Sequence, residues 1–245
     1  MNDRPALERL ALPEAVLFDL DGTLVDTVET RIDSWLEVLA DSGFPTTRER
    51  LGPLIGMDGK RLAREVARDH GVTLEADRAE EIDKQSGEIY GRLNHSPRAL
   101  PGVAVLVQAI EACGIRWAVA TSSRKAQVTA SVATLGLATE PEITDASHVE
   151  HAKPAPDLLL LAAEQLVVEP ARCWYIGDST WDMLAAVAAG MVAIGVTAGA
   201  AVDRRALLEA GASVVVETLA ELADSLAGPI ADPSADSVAD PLARR

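Results

Sequence analysis

The stretch Phe18-Asp19-Leu20-Asp21-Gly22-Thr23, "FDLDGT", follows the apolar run Ala15-Val16-Leu17. That run has β character, and it places two carboxylates two residues apart at the mouth of a buried strand. Side chains at i and i+2 of a strand share a face. The spacing therefore predicts Asp19 and Asp21 side by side, with like-charge repulsion raising a pKa. Such a pair is tolerated where a cation or a division of chemical labour makes use of it.

Working outward, the chain alternates. Strands are expected at 15–20, 115–120, 141–144, 172–177, 191–196 and 213–216, with helices at 101–113, 124–135, 156–166, 180–189 and 203–210. Short β runs separated by amphipathic helices imply parallel strands and an α/β fold with a doubly wound parallel sheet. The runs "WAVA" and "AIGV" are nearly all apolar, as strands covered on both faces must be. One segment breaks the rhythm. Residues 27–96 read as helices only, with Ile32, Trp35, Leu36 and Leu39 on one face of a helix that ends at Gly43. A second helix carries Leu62 and Val66 and ends at Gly71, and a third covers about 76–93. So long an insertion is too much for a connection. It is expected to be a helical cap domain (27–96), hinged near Val25–Thr27 and Ser96–Pro101, on a core of residues 1–26 and 97–227. The Pro-, Ser-, Asp- and Ala-rich tail at 228–245 is expected to be disordered.

Composition narrows the function. The 245 residues are 48% hydrophobic, enough for a sizeable core, and the formal net charge is −16. That charge argues against a nucleic-acid partner, whose phosphates need a basic surface. A small anionic substrate stays open, because a metal and one or two lysines can reverse the local sign. No apolar run reaches 18 residues, so no membrane span or membrane partner is expected. "MNDRPALERLALPE" lacks the layout of a secretory leader. Cys113 and Cys173 read as buried, reduced thiols, and the expected setting is the cytoplasm.

In an open α/β sheet, ligands bind at the carboxyl ends of the strands. Here those ends carry Asp19 and Asp21 after the first strand and Thr121-Ser122-Ser123 after the second. Lys153-Pro154 follows the third, and Asp178 with Asp182 the fourth. Brought to one sheet edge, they make a phosphoryl-transfer site. Clustered carboxylates favour a hard divalent cation such as Mg²⁺. Lys153 offers a point charge for phosphate oxygens. Thr121 and Ser122 offer hydroxyls and backbone N–H groups at a helix start. Asp19, nearer the metal, suits a nucleophile that takes the phosphoryl group, and Asp21 suits the general acid/base. In the helical insertion, the loop "IGMDGKR" (55–61) offers Lys60 or Arg61 to an anion. His148 and His151, at i, i+3 in "HVEH", read as surface loop residues rather than metal ligands. Trp181 reads as core or interface packing.

The set "FDLDGTLVD", "VATSS", "KPAPDLLLLAAEQL" and "YIGDSTWDMLAA" resembles the haloacid dehalogenase superfamily of phosphohydrolases. It looks most like the branch with a helical cap after the first strand, typified by phosphoglycolate phosphatases and β-phosphoglucomutases. The likeness covers about residues 14–226. It implies Asp19 as nucleophile, Asp21 as general acid/base, and Thr121 and Lys153 as holders of the transferring phosphoryl group. It also implies a Mg²⁺ site of Asp19, the Asp21 backbone carbonyl and Asp178, with Asp182 supporting. An aspartate at position 21 speaks against carbon–halogen cleavage, where no leaving alcohol needs a proton. The expected function is a Mg²⁺-dependent phosphatase, monomer or homodimer, acting on a small phosphorylated metabolite of the sugar-phosphate or phosphoglycolate type. Alternatives are a phosphomutase returning the group to a sugar hydroxyl, a non-catalytic phospho-receiver, and a protein that only binds.

Overall fold

The computed structural model describes residues 7, 9–123, 125–137, 139–145, 147 and 149–226. The expected tail and His148 lie outside these. Among the described residues the chain forms β1 (Ala15–Phe18), β2 (Arg116–Thr121), β3 (Glu142–Asp145), β4 (Cys173–Gly177), β5 (Val192–Val196) and β6 (Val214–Val216). Every pairing is parallel, in the order β3-β2-β1-β4-β5-β6. The helices are α1 (Val28–Asp41), α2 (Arg48–Leu51), α3 (Gly59–Asp69), α4 (Ala76–Leu93), α5 (Val103–Ala112), α6 (Lys125–Ala133), α7 (Asp157–Gln165), α8 (Thr180–Ala188), α9 (Arg204–Glu209) and α10 (Leu219–Leu226), with 3₁₀ turns at Gly52–Leu54 and Pro170–Arg172.

The alternation of strand side chains builds two cores at once. Val16, Phe18, Val119, Ile176 and Ile194 point to one face, where Leu106 and Ile110 of α5 and Leu219 and Leu222 of α10 cover them. Leu17, Ala118, Ala120, Tyr175 and Ala193 point to the other, beneath Leu158 and Leu159 of α7 and Met183 and Ala186 of α8. This two-sided burial is why the strands carry almost no polar residues until their carboxyl ends.

Residues between β1 and β2 pack a third core of their own. Ile32, Trp35 and Leu39 of α1 meet Leu62 and Val66 of α3 and Ile82 and Ile89 of α4. The two chain segments that lead into and out of these helices lie side by side. Asp26 N donates to Arg98 O at 2.8 Å, and Leu100 N to Leu24 O at 2.9 Å.

Three expectations change. β1 stops at Phe18, because the amides of Leu24 and Val25 both turn in on the Leu20 carbonyl, at 2.9 and 3.0 Å. The helix α10 was not anticipated, although Leu219, Leu222, Ala223 and Leu226 follow helical spacing and are buried. Cys113 is exposed at the end of α5 rather than buried; Cys173 is buried. None of the described helices is long and apolar enough to cross a membrane.

Candidate active site

With this strand order, the connections run outward from β1 through β2 to β3 and then return to begin again at β4. That reversal is the switch point at which open α/β sheets hold ligands. Phe18 is in register with Val119 on one side and Ile176 on the other, and Asp19 N still donates to Ile176 O at 2.9 Å. Asp19 therefore leaves the sheet beside the Asp178 loop after β4 and the Thr121 loop after β2.

The centre of the site is an ammonium group. Lys153, on the loop before α7, is 1% exposed. Its Nζ donates to Asp19 Oδ1 and to Asp182 Oδ1, each at 2.7 Å. Burial opposes the charge, but Asp182 and Asp19 outweigh it and raise the Lys153 pKa. Tyr175 Oη lies 3.1 Å from the same Asp182 oxygen, and its ring centre 5.3 Å from the ammonium. The other Asp182 oxygen accepts from Ser179 N at 3.0 Å and Ser179 Oγ at 2.6 Å, closing a capping box that fixes the start of α8. Both Asp182 oxygens thus have protein partners. Its place in the site is to anchor Lys153 and the Asp178 loop.

Asp19, Asp178 and Asp182 present oxygens within 4.8 Å of one another, all buried. Asp178 Oδ1 accepts from Thr23 Oγ1 at 2.9 Å. Among the described residues no donor is seen on Asp19 Oδ2 or Asp178 Oδ2. Three buried carboxylates face one ammonium, an excess of negative charge that suits a hard divalent cation bound through oxygen. Burial pushes Asp19 up to about 7 against the pull of Lys153, with Asp182 adding to the rise and Asp21 contributing least. Burial, then Asp182 and Asp19, raise Asp178 well above the usual carboxylate range.

Asp21 lines the same cavity as Asp19. It lies on the turn beyond β1, and its carboxylate is held toward the helical segment. Thr27 Oγ1 donates to Oδ1 at 2.7 Å and Tyr90 Oη to the same oxygen at 3.0 Å. Arg31 Nη2 donates to Oδ2 at 2.9 Å, and Ser123 Oγ also donates there. Burial acts to raise this carboxyl, but the Arg31 guanidinium and the hydrogen bonds from Ser123 and Thr27 hold it below its ordinary value. The like-charge repulsion expected from the spacing persists in part, since Asp21 still adds to the rise of the Asp19 pKa.

A cavity of about 730 Å³ opens between the sheet edge and the helices, walled by Asp19, Asp21, Thr121, Ser122, Lys153 and Asp178 among others. Thr121 is 1% exposed, and its Oγ1 accepts from Ser123 N at 3.1 Å. Ser122 Oγ is buried without a hydrogen-bond partner. Among the described residues, an orphan hydroxyl in a cavity that Lys153 also lines suits an oxyanion ligand. Lys60 lines the cavity, with its Nζ 3.5 Å from Glu80 Oε2. Arg61 instead stacks over Trp181 at 5.1 Å, while Trp181 Nε1 donates to Pro53 O at 2.9 Å. Trp181 thus carries the core helix α8 onto the helical segment. His151 is exposed and pairs with Asp157 at 3.0 Å.

The spacing of the strand-end motifs did not single out Thr23, Thr27, Arg31, Tyr90, Ser123 or Tyr175. A signal existed for part of this set. Thr27, Arg31 and Ser34 fall at i, i+4 and i+7 along α1, a polar stripe beside its apolar face. Ser34 is buried and 3.3 Å from Ser86 of α4.

A family model described as haloacid dehalogenase-like hydrolase matches residues 16–196. The chain is 31% identical to the N-acetylmuramic acid 6-phosphate phosphatase of Pseudomonas aeruginosa, over 90% of this chain and 97% of that protein. It is 32% identical to the fructose-1-phosphate phosphatase YqaB of Escherichia coli, over 74% and 95%. A crystal structure of a hydrolase from Pseudomonas syringae superposes with a TM-score of 0.79 at 32% identity, covering 86% of this chain and 97% of that one. The chain belongs to the haloacid dehalogenase-like hydrolases, and among them to the phosphatases.

One backbone position controls the acidic cluster. Gly22 has φ +81°, and a Cβ there would stand 2.3 Å from Asp178 Oδ2 and 2.6 Å from a Val28 methyl. Gly22→Ala is expected to lower stability by at least about 1–2 kcal/mol from the left-handed backbone alone, and to displace Asp178. Chemical denaturation and phosphatase activity of the purified variant check both.

Proposed function

We propose that the chain is a Mg²⁺-dependent phosphatase of a small phosphorylated metabolite, of the sugar-phosphate or phosphoglycolate type, working through an aspartyl phosphate on Asp19. The observation that carries this reading is the 2.7 Å bond from Lys153 to Asp19 Oδ1, which fixes a carboxylate that lines the cavity.

The residues then act in turn. Lys153, Thr121 and Ser122 hold the phosphoryl oxygens. Asp19 Oδ2 attacks phosphorus, and the bond to the ester oxygen breaks with its electron pair on the leaving alkoxide. Protonated Asp21 gives that oxygen its proton. The alcohol departs and water enters. Asp21, now ionised, takes a proton from the water as the water oxygen attacks phosphorus, releasing phosphate and restoring Asp19. Asp21 as held by Arg31 and Thr27 is the ionised partner that the second step needs. Mg²⁺ held by Asp19 and Asp178 would supply positive charge against phosphoryl oxygens that no side chain here neutralises fully. The helices between β1 and β2 serve as a cap that excludes bulk water and contacts the leaving group. A cavity of about 730 Å³ has room for a sugar phosphate.

Asp19→Asn is expected to abolish phosphate release in a variant that still folds, since an amide cannot attack phosphorus in this way and Asp182 stays paired with Lys153. Near-normal turnover would remove the covalent route. Asp21→Asn is expected to lower kcat/KM for alkyl phosphates by about 10²-fold or more and that for p-nitrophenyl phosphate much less, since its leaving group needs no proton, while kcat falls for both through loss of the base in the second step. Isomerisation of a sugar phosphate without phosphate release would replace hydrolysis by mutase chemistry.

The cation makes a separate prediction. Asp19 has a folded-state pKa raised above its unfolded value, so its protonated form stabilises the cation-free fold at low pH. That contribution is lost as pH rises through about 7, and amounts to roughly 1 kcal/mol between pH 6 and 8. In EDTA the melting temperature is expected to fall over this range. Millimolar Mg²⁺ should raise it, more at pH 8 than at pH 6. Equal Mg²⁺ shifts at both values would count against the acidic cluster as the binding site.

A further inference from the structure

Arg31 sits on α1, one helical turn after Thr27. Among the groups its guanidinium touches are side chains from three parts of the chain. It donates to Asp21 Oδ2 at 2.9 Å and to Ser123 Oγ at 2.5 Å, and its carbon lies 3.6 Å over the centre of the Tyr90 ring. Tyr90, 1% exposed on α4, passes its own hydroxyl to Asp21 Oδ1 and accepts from Asn94 Nδ2 at 2.9 Å. The two carboxylate oxygens are therefore addressed separately. Oδ1 meets Thr27 and Tyr90, and Oδ2 meets Arg31 and Ser123.

Asp21 lies on a turn, not in the sheet, so the strand ladder does not fix its side chain. Left alone, its carboxylate would rotate freely about two torsions. A planar guanidinium that holds one oxygen while stacked on a rigid ring restricts both. Arg31 and Tyr90 lie on the helices between β1 and β2, whereas Ser123 lies after β2. The carboxylate is aimed only while the helical segment is seated on the sheet edge.

We propose that Arg31 is a positioning residue that acts on turnover through Asp21, with Tyr90 as the plate that orients it. This rests on the reading of Asp21 as general acid/base. The requirement is geometric. A proton donor must lie within hydrogen-bond reach of the leaving oxygen, and an ångström of misplacement costs heavily in rate. Both bonds leave from Nη2, so lysine at position 31 could supply the charge and the donor but not the planar group stacked on Tyr90.

The test is a double-mutant cycle read on substituted phenyl phosphates of graded leaving-group acidity. Arg31→Gln is expected to lower kcat/KM for unsubstituted phenyl phosphate by about tenfold or more and that for p-nitrophenyl phosphate much less, steepening the leaving-group dependence of kcat/KM. Arg31→Lys should restore part of the loss. In an Asp21→Asn background, Arg31→Gln should add less than about twofold, because the two act as one unit. A uniform loss across the series, or a full Arg31 effect in the Asp21→Asn background, would overturn the inference and make Arg31 a direct substrate ligand or a purely structural group. Melting temperatures report folding. If Arg31→Gln does not fold, Tyr90→Phe takes its place, since it removes one hydrogen bond at nearly constant volume. An unchanged leaving-group dependence in that variant overturns the proposal. Should Asp21→Asn itself leave the dependence unaltered, the acid/base reading falls and this inference with it. A steepened Asp21→Asn response beside an unaltered Arg31→Gln overturns this inference alone.

Discussion

The buried Lys153 ammonium, shared between Asp19 and Asp182, is the constraint on which the rest of the site depends. Removing one partner of such a group leaves an uncompensated charge in the interior, which is far costlier than losing a surface pair. The sequence around it is arranged to prevent that. Tyr175 and Ser179 occupy the Asp182 oxygens that Lys153 does not satisfy alone. Thr23 holds Asp178 from the β1 side. Side chains after three strands, one of them 134 residues from Lys153 and another 29, are thereby tied to a single ammonium.

That arrangement divides the two carboxylates of the opening motif between different supports. Asp19 belongs to the sheet edge, where its register with β4 is set by the strand ladder and its charge state by Lys153 and burial. Asp21 belongs equally to the helices, whose Arg31 and Tyr90 hold its oxygens. One environment favours the protonated form and the other the ionised form. In the cation-free fold that split is the reverse of what attack by Asp19 and proton donation by Asp21 require, so a cation at the acidic cluster would have to favour the ionised form of Asp19 and the incoming phosphate the protonated form of Asp21.

Much of this was legible in the chain itself. Apolar runs covered on both faces identify themselves by lacking polar alternation, so the strand positions and the parallel sheet could be read within a residue or two. The strand-end residues Asp19, Thr121, Lys153 and Asp178 could be read too, because a doubly wound topology brings those ends together whatever lies between. The direction in which Asp21 points could not. It depends on the turn at Leu20, where backbone amides converge on one carbonyl, and a period-2 rule stops applying there. Nor was the Arg31–Tyr90 stack visible, since it joins helices 59 residues apart whose packing is set by the third hydrophobic core. Arg61 illustrates the same limit. Its charge suggested an anion, whereas the fold gives it the indole of Trp181.

The paired segments at Leu24–Asp26 and Arg98–Leu100 have a bearing on how such a chain diversifies. Because the chain departs from the sheet and rejoins it at adjacent points, the sheet experiences the whole intervening stretch as no more than a tight hairpin. Loop-closure entropy grows only slowly with length, so that stretch can be lengthened, shortened or resurfaced while the strand ladder keeps its register. The part of the cavity wall that this stretch supplies can then change over an unaltered sheet edge, while Arg31 and Tyr90 keep their bonds to one carboxylate.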